Sequence, residues 1–177
     1  MNQANTEHLL REHPLLFRNG EFFDCLDGWY VLIRELSDAL EHLCAQQKHH
    51  KKRPMVSSQV KEKLGGLRFY VDHVAPGAQS LIAAAELLSR STCEICGAHG
   101  LVRSDSGRLT ALCKRHAATP VETREALDRD AEANLTAIYQ HLVERQSSKI
   151  KLGMRALFEA TQEEHGRAAR RGPNKRG

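Results

Sequence analysis

Aromatic side chains and long apolar runs are both scarce in this sequence of 177 residues. Phe, Trp and Tyr together make up 5% of the chain, so a hydrophobic core must be built mainly from aliphatic side chains. No apolar run reaches the roughly 18 residues that a membrane-spanning helix needs. The first residues show neither a basic start nor an apolar stretch of the length of a signal peptide. We therefore expect a cytoplasmic protein with no membrane partner.

The formal charge of +4 hides a strong polarity along the chain. Residues 1–47 hold 3 basic and 8 acidic side chains, a net of −5, whereas residues 48–73 hold 7 and 2, a net of +5. Residues 149–177 hold 8 basic and 3 acidic side chains, again +5. Basic segments of this kind favour contact with polyanions, although they are more often simply solvated surface.

Five cysteines without a secretion signal argue against a disulfide framework. Cys93 and Cys96 form a Cys-x-x-Cys pair, and after 16 intervening residues Cys113 and His116 repeat the same spacing. Two such pairs match a tetrahedral zinc site made of three thiolates and one imidazole. Gly97 follows the first pair and permits the tight reversal that a zinc knuckle requires. The sequence therefore predicts one structural Zn²⁺.

Other interpretations of the same window are weaker. A redox Cys-x-x-Cys belongs at a strand-to-helix junction of an α/β pattern, which this sequence does not show. A catalytic zinc keeps one coordination position for water, whereas four good ligands fill the shell. A nuclease of the His-Asn-His kind needs histidines beyond the zinc ligands, and the interval between the pairs offers His99 alone. We therefore expect that the chain is not an enzyme.

Apolar periodicity predicts the remaining secondary structure. Spacings of three and four residues predict helices over 5–17, 27–47, 78–90, 119–146 and 152–165. In the helix over 27–47, Asp27 is the predicted cap, and Trp29 and Cys44 are predicted to pack on the apolar face. Alternation with a period of two predicts a hairpin over 56–73. Two short strands, 101–103 and 108–112, are predicted inside the segment from Cys93 to His116, which we call the cysteine window.

Gly65-Gly66 predicts the two-residue turn of that hairpin, because such turns need positive backbone φ angles. This turn would place Lys63 opposite Arg68, Lys61 opposite Tyr70, and Leu64 opposite Leu67 on the core face. Glu62 would then lie on the core face opposite Phe69, for which the sequence offers no reason.

These elements predict an α+β fold that is mostly helical, with a β-hairpin and a knuckle like that of a zinc ribbon or treble clef. The expected organisation is helices and hairpin over 1–92, the zinc knuckle over 93–118, helices over 119–166, and a disordered basic tail over 167–177.

Three segments together resemble a family of small zinc-knuckle proteins encoded by phages and bacteria. They are Gly28-Trp29-Tyr30, the lysine-rich strand that runs from Gln59 into Gly-Leu-Arg-Phe-Tyr at 66–70, and the two ligand pairs. The resemblance covers about residues 28–118 and implies an architecture, without implying an activity.

Nucleic-acid binding is the first functional hypothesis. Lys63 and Arg68 placed opposite each other would repel, and a phosphate backbone across them would relieve that repulsion. A tyrosine on the same face could stack on a base. The predicted contact residues are Lys51, Lys52, Arg53, Lys61, Lys63, Arg68 and Tyr70, and the basic tail could add further phosphate contacts.

A protein-binding role is the alternative hypothesis, in which the chain is an immunity, antitoxin or anti-defence factor that neutralises a partner protein. Acidic side chains in the first quarter of the chain could mask or mimic a nucleic-acid-binding surface. They are Glu21, Asp24, Asp27, Glu35, Asp38 and Glu41. Helix capping and solvation would explain the same residues without any partner.

Overall fold

The computed structural model describes residues 1–47, 53–105 and 107–119. The predicted helices after residue 119, the basic tail, and Lys51 and Lys52 lie outside these residues. Within the described residues no helix is long and apolar enough to cross a membrane.

The first helix, α1 (Gln3–Glu12), begins two residues earlier than predicted. Asn2 caps it, since its Oδ1 accepts a hydrogen bond from the backbone N–H of Asn5 at 2.8 Å. The helix ends just before His13, because the residue that precedes a proline is disfavoured in the α conformation. The sequence also predicts that Pro14 interrupts this helix, and the part of the predicted range after Pro14, up to residue 17, is not helical.

The central helix lies where the periodicity predicts it. A 3₁₀ turn (Asp27–Trp29) leads into α2 (Tyr30–Gln47), whose buried face carries the apolar residues of the predicted stripe. Trp29 is fully buried and Cys44 nearly so, which confirms that both are packing residues. Asp27 does not cap this helix; its Oδ1 accepts hydrogen bonds from Asn2 N and Asn5 Nδ2, both at 2.9 Å, and so fixes the start of α1.

A three-stranded sheet packs against α2 and contains the predicted hairpin. Strands β2 (Val56–Lys63) and β3 (Gly66–Asp72) are antiparallel, and the two-residue strand β1 (Phe23–Asp24) pairs in parallel with β2. The predicted turn is displaced by one residue, since Leu64 and Gly65 are the two residues with positive φ, at 55° and 72°. This is the φ signature of a type I′ turn.

The displaced turn changes every cross-strand partner. Lys61 lies opposite Arg68, and Lys63 lies opposite Gly66, so the predicted pairing of Lys63 with Arg68 is wrong. Leu64 belongs to the turn and is 59% exposed, contrary to the predicted core position. Because the partners move by two residues, Lys61, Lys63, Arg68 and Tyr70 keep their predicted face. Further from the turn, a register shift between Ser57 and Gln59 interrupts the alternation along β2.

The same displacement explains the acidic residue on the core face. Glu62 Oε1 accepts the backbone N–H of Gly65 at 2.7 Å, and its Oε2 accepts Arg108 Nη2 at 2.9 Å. Glu62 therefore caps the hairpin turn and ties it to the cysteine window.

Helix α3 (Ala78–Ser89) covers the outer edge of β3. Ser89 Oγ accepts the backbone N–H of Leu67 at 2.8 Å, and Glu86 Oε1 accepts that of Phe69 at 3.2 Å. Since unpaired N–H groups on an edge strand invite association with other chains, these two side chains close the edge.

The cysteine window forms its own small unit. Strands β4 (Leu101–Asp105) and β5 (Arg108–Leu112) are antiparallel, as predicted, and the one-turn helix α4 (Lys114–Ala117) follows. Ala111 belongs to the main hydrophobic core, and Val102 packs against that core. Helices and small sheets together make the described part of the chain an α+β structure.

Candidate metal centre and basic hairpin face

The four predicted ligands converge on one point. One donor atom from each of Cys93, Cys96, Cys113 and His116 lies within 4.8 Å of all the others. His116 Nδ1 is 3.4 Å from the sulfurs of both Cys93 and Cys113, and the sulfurs of Cys96 and Cys113 are 3.9 Å apart. Cys93, Cys113 and His116 are buried, and all three cysteines are free thiols.

These distances fit a tetrahedral ion. Zinc bonds of about 2.3 Å to sulfur and about 2.05 Å to nitrogen give tetrahedral edges of about 3.8 Å between sulfurs and about 3.6 Å between sulfur and nitrogen. The observed separations lie within a few tenths of an ångström of those edges. The Cys₃His cluster can therefore hold one metal ion such as Zn²⁺.

Local backbone geometry explains why the two pairs face each other. The backbone N–H of Gly97 donates to Cys93 O at 2.9 Å, which closes a tight turn, and the φ of 73° at Gly97 lies in the region that favours glycine. Cys113 is the N-cap of α4, so the next helical turn carries His116 back over the sulfur of Cys113. Both arrangements are local, which is why the spacing alone predicts them.

Cys93 differs in its acidity from the two cysteines outside the cluster. Hydrogen bonding with Cys96, and also with His116, lowers the pKa of Cys93, whereas the hydrogen bond that Cys96 gives raises the pKa of Cys96. Burial raises the pKa of Cys25 to about 12 and that of Cys44 to about 11. Because metals bind thiolates, the lowered pKa of Cys93 favours an ion there, whereas Cys25 and Cys44 are buried packing thiols.

The backbone around the Cys₃His cluster is in direct contact with the 3₁₀ turn that leads into α2. The backbone N–H of Gly28 donates to Glu94 O at 2.8 Å, and the indole of Trp29 donates to Thr92 O at 2.9 Å. A Cβ atom at Gly28 would lie 2.2 Å from Cys93 O, so a larger residue cannot fit without moving the knuckle.

The hairpin turn forms the second docking point. A Cβ atom at Gly65 would lie 2.6 Å from Val102 Cγ1, and Glu62 bonds Arg108 of β5. The turn of the β2–β3 hairpin therefore packs against the β4–β5 hairpin.

Glu94, between the two ligands of the first pair, is buried at this junction and accepts the backbone N–H of Leu26 at 3.3 Å. Burial, together with the charge of Glu62, raises the pKa of Glu94 to about 7. Sequence reasoning did not single out Glu94, because only the docked structure buries it.

Four of the predicted contact residues share the outer surface of the hairpin, which we call the basic hairpin face: Lys61, Lys63, Arg68 and Tyr70. Lys63 is exposed, and Tyr70 is 43% exposed. The ammonium group of Lys61 lies 5.7 Å from the centre of the Tyr70 ring, a cation–π distance. Asp24 of β1 is the neighbour of Lys61 on the other side.

Arg53 lies apart from this face. It is exposed and precedes the end of β2 that is remote from the turn, whereas Lys63 lies next to the turn. The seven residue-to-residue steps from Val56 to Lys63 span about 23 Å. Sequence reasoning instead missed Arg90, which follows α3 and lies beside Gly66. Its position as the last residue of the predicted helix over 78–90 carries no signal of this proximity.

The acidic residues that motivated the protein-binding alternative are mostly engaged within the chain. Glu41 accepts the backbone N–H groups of Leu15 and Leu16 at 3.0 and 2.8 Å, and Asp38 bonds the buried His13 at 2.8 Å. Internal hydrogen bonds also occupy Glu21, Asp27 and Glu35.

Fold and site together define an α+β protein with a Cys₃His cluster able to hold a metal. Comparison with protein-family models, with curated proteins and with solved structures finds no match to this chain.

Proposed function

We propose that this chain is a non-enzymatic binding protein whose fold is stabilised by one structural Zn²⁺ and whose partner is nucleic acid. The observation that carries the first part is the convergence of four donor atoms at tetrahedral spacing. The basic hairpin face supports the second part.

A structural role for the ion follows from the ligand count. Four protein donors complete a tetrahedral shell, whereas a catalytic zinc leaves one position to water. The tight turn, the β4–β5 hairpin and the helix that presents His116 together resemble a zinc ribbon or treble-clef knuckle. The ion would hold this knuckle against Gly28 and Gly65, where the contacts leave no room for a side chain.

Nucleic acid is the partner that the basic hairpin face fits best. Lys61 and Arg68 are directly opposite on neighbouring strands, and like charges in that relation repel. Phosphate groups would relieve the repulsion, with release of counterions. The exposed Tyr70 ring would add a surface for stacking on an unpaired base.

The alternative, a phage or bacterial factor that neutralises a partner protein, has less support. Its warrant was an acidic surface, and five of those six carboxylates accept hydrogen bonds inside the chain. A carboxylate held in this way is less free to turn toward a partner.

Binding across salt concentrations tests the proposal. Labelled single strands and a matched duplex are titrated with zinc-loaded protein at about 50 and about 200 mM salt, because phosphate contacts weaken steeply over that range. We expect salt-dependent binding that the double variant Lys61→Glu/Lys63→Glu loses. The matched control is Arg11→Glu/Arg18→Glu, which reverses two exposed charges on α1 and in the segment after it.

Absence of binding by the unaltered protein at the lower salt concentration would refute nucleic acid as the partner. Equal loss in the two double variants would refute the basic hairpin face as the contact surface. Recovery of a stoichiometric protein complex that is reconstituted from purified components without nucleic acid would favour the alternative.

A further inference from the structure

Gly66 lies on the basic hairpin face and is buried, because the side chains of neighbouring residues pack over its Cα atom. A Cβ atom built there would lie 3.3 Å from Arg90 Cγ and 3.4 Å from Arg68 Nη1. Lys63 is the cross-strand partner of Gly66. Three basic residues, one from β2, one from β3 and one from the end of α3, therefore surround a single position that has no side chain of its own.

The charge around this position is incompletely balanced. Arg68 Nη1 lies 3.9 Å from Glu86 Oε2, which offsets one charge. Neither Lys63 nor Arg90 forms an ion pair with any residue in the described ranges, and both are exposed. A second anion would therefore be attracted to the group.

The guanidinium group of Arg68 and the backbone of Arg90 are also held in place. Arg68 Nη1 donates to Leu67 O at 2.7 Å, which orients its guanidinium and leaves the other N–H groups for a ligand. Ser89 Oγ donates to Glu86 O at 2.6 Å while it accepts the backbone N–H of Leu67, so the end of α3 is fixed to β3. Arg90 follows at once, and its backbone N–H closes the last turn of the helix.

We propose that Lys63, Arg68 and Arg90 form a binding site for a backbone phosphate of single-stranded nucleic acid. The guanidinium fork of an arginine suits two phosphate oxygens, and a lysine adds a point charge. A strand bound here would run along the basic hairpin face toward Tyr70, which lies about 13 Å further along β3 by the strand rise. The exposed ring favours a single strand, because bases of a duplex are not free to stack on it. This site deepens the proposed function and rests on it.

Arg90 is the residue that tests the site, because it lies outside the β2–β3 hairpin and its replacement leaves the strands of that hairpin unchanged. Zinc-loaded Arg90→Glu, Arg90→Lys and the control Arg18→Glu are titrated with a labelled oligothymidine of about 20 nucleotides, longer than one binding site. We expect Arg90→Glu to bind roughly tenfold more weakly than the control and to lower the slope of log K against log salt by about 0.7. Arg90→Lys should retain most of the affinity.

A second variant adds a methyl group at Gly66 without a change of charge. In Gly66→Ala the new methyl group must push aside Arg90 or Arg68, so we expect weaker binding with little change in thermal stability. Zinc content and melting temperature are measured for each variant, so that a loss of fold is recognised. Competition with inorganic phosphate separates a site for free phosphate, which millimolar phosphate would block, from one that needs the polymer.

The possible failures are distinguishable. If the unaltered protein binds the oligonucleotide and Arg90→Glu matches the Arg18→Glu control, the Gly66 site is refuted while the proposed function stands. If the unaltered protein binds no nucleic acid, the proposed function fails first and takes this site with it. Equal or tighter binding of a matched duplex would refute the assignment to a single strand.

Discussion

The indole nitrogen of Trp29 donates a hydrogen bond to the carbonyl oxygen of Thr92, at 2.9 Å, one residue before the first ligand of the metal centre. Trp29 is the single tryptophan of the chain and is fully buried. The start of α2 therefore carries an optical reporter that touches the backbone of the knuckle.

Removal of the metal should change the fluorescence of Trp29. Metal binding and folding of a small knuckle form one equilibrium, so a strong chelator should release Thr92 and expose the indole to water. We expect a red shift of the emission that excess Zn²⁺ reverses, measured by fluorescence during titration with chelator. An unchanged spectrum after complete metal loss, verified by elemental analysis, would contradict a structural role for the ion.

Replacement of a ligand should abolish binding of one equivalent of zinc. We expect Cys113→Ser to lose the ion and to melt at a lower temperature, because a buried thiolate ligand and the cap of α4 are both altered. Cys44→Ala is the matched control, since that thiol is buried, has a raised pKa and packs on α2. Elemental analysis should give one zinc per chain for the control; a full equivalent in Cys113→Ser would overturn the assignment of the four ligands.

Gly28→Ala tests the contact between α2 and the knuckle. The added methyl group would lie 2.2 Å from Cys93 O and 2.6 Å from Glu94 O, and these are backbone atoms that cannot rotate away. We expect a loss of about 1–3 kcal/mol in the free energy of unfolding, the usual range for overpacking, and weaker zinc binding as well. Gly20→Asn is the comparison, because nothing lies within 4 Å of a Cβ atom at Gly20 and asparagine tolerates a positive φ. Equal stability of the two variants in urea would show that the knuckle is not seated on Gly28.

His13 should make the stability of the fold depend on pH. Burial by itself lowers its pKa, but the hydrogen bond to Asp38, the carbonyl of Leu9 and the charge of Glu41 outweigh burial, and the pKa is raised. A raised pKa in the folded state means that the protonated ring stabilises the fold. That contribution is complete below about pH 6.5, the value of an unperturbed histidine, and is lost as the pH rises through the higher pKa of the folded state.

The measurement compares urea midpoints of the unaltered protein and of His13→Gln from about pH 6 to about pH 9, the range around the histidine pKa. Zinc is present in excess throughout, so that titration of the ligands is shared by both proteins. We expect the stability advantage of the unaltered protein to shrink toward high pH. His73→Asn, at an exposed position with positive φ, should follow the unaltered protein; a constant difference for His13→Gln would refute a protonated His13.

Prediction from sequence succeeded where the determining contacts are local. Trp29, Leu32, Ile33 and Leu36 follow a helical period, and the structure buries all four, Trp29 in the 3₁₀ turn before α2 and the others on α2. The outer face of the β2–β3 hairpin was also predicted correctly, because alternation along a strand does not depend on its partner.

The register of that hairpin could not be predicted from its own residues. Gly65 and Gly66 are adjacent, and the sequence therefore predicts that these two residues form the turn. In the structure Gly65 faces Val102, some 40 residues later in the chain, and Gly66 lies under Arg90. Both glycines are needed for the close approach of distant parts of the chain, so Leu64 takes the other turn position.

The sequence by itself determined the set of candidate metal ligands, since two short Cys-x-x-Cys and Cys-x-x-His turns orient their donor atoms through their own backbone geometry. It also determined the helices and the alternation of the strands, which depend on residues three or four positions apart or fewer. Only the tertiary structure decided that Glu62 closes a turn, that most of the acidic side chains bond internally and that Arg90 joins Lys63 and Arg68. Those relationships depend on packing between segments that are far apart in the sequence, and no periodic pattern within either segment indicates which remote residues it will contact.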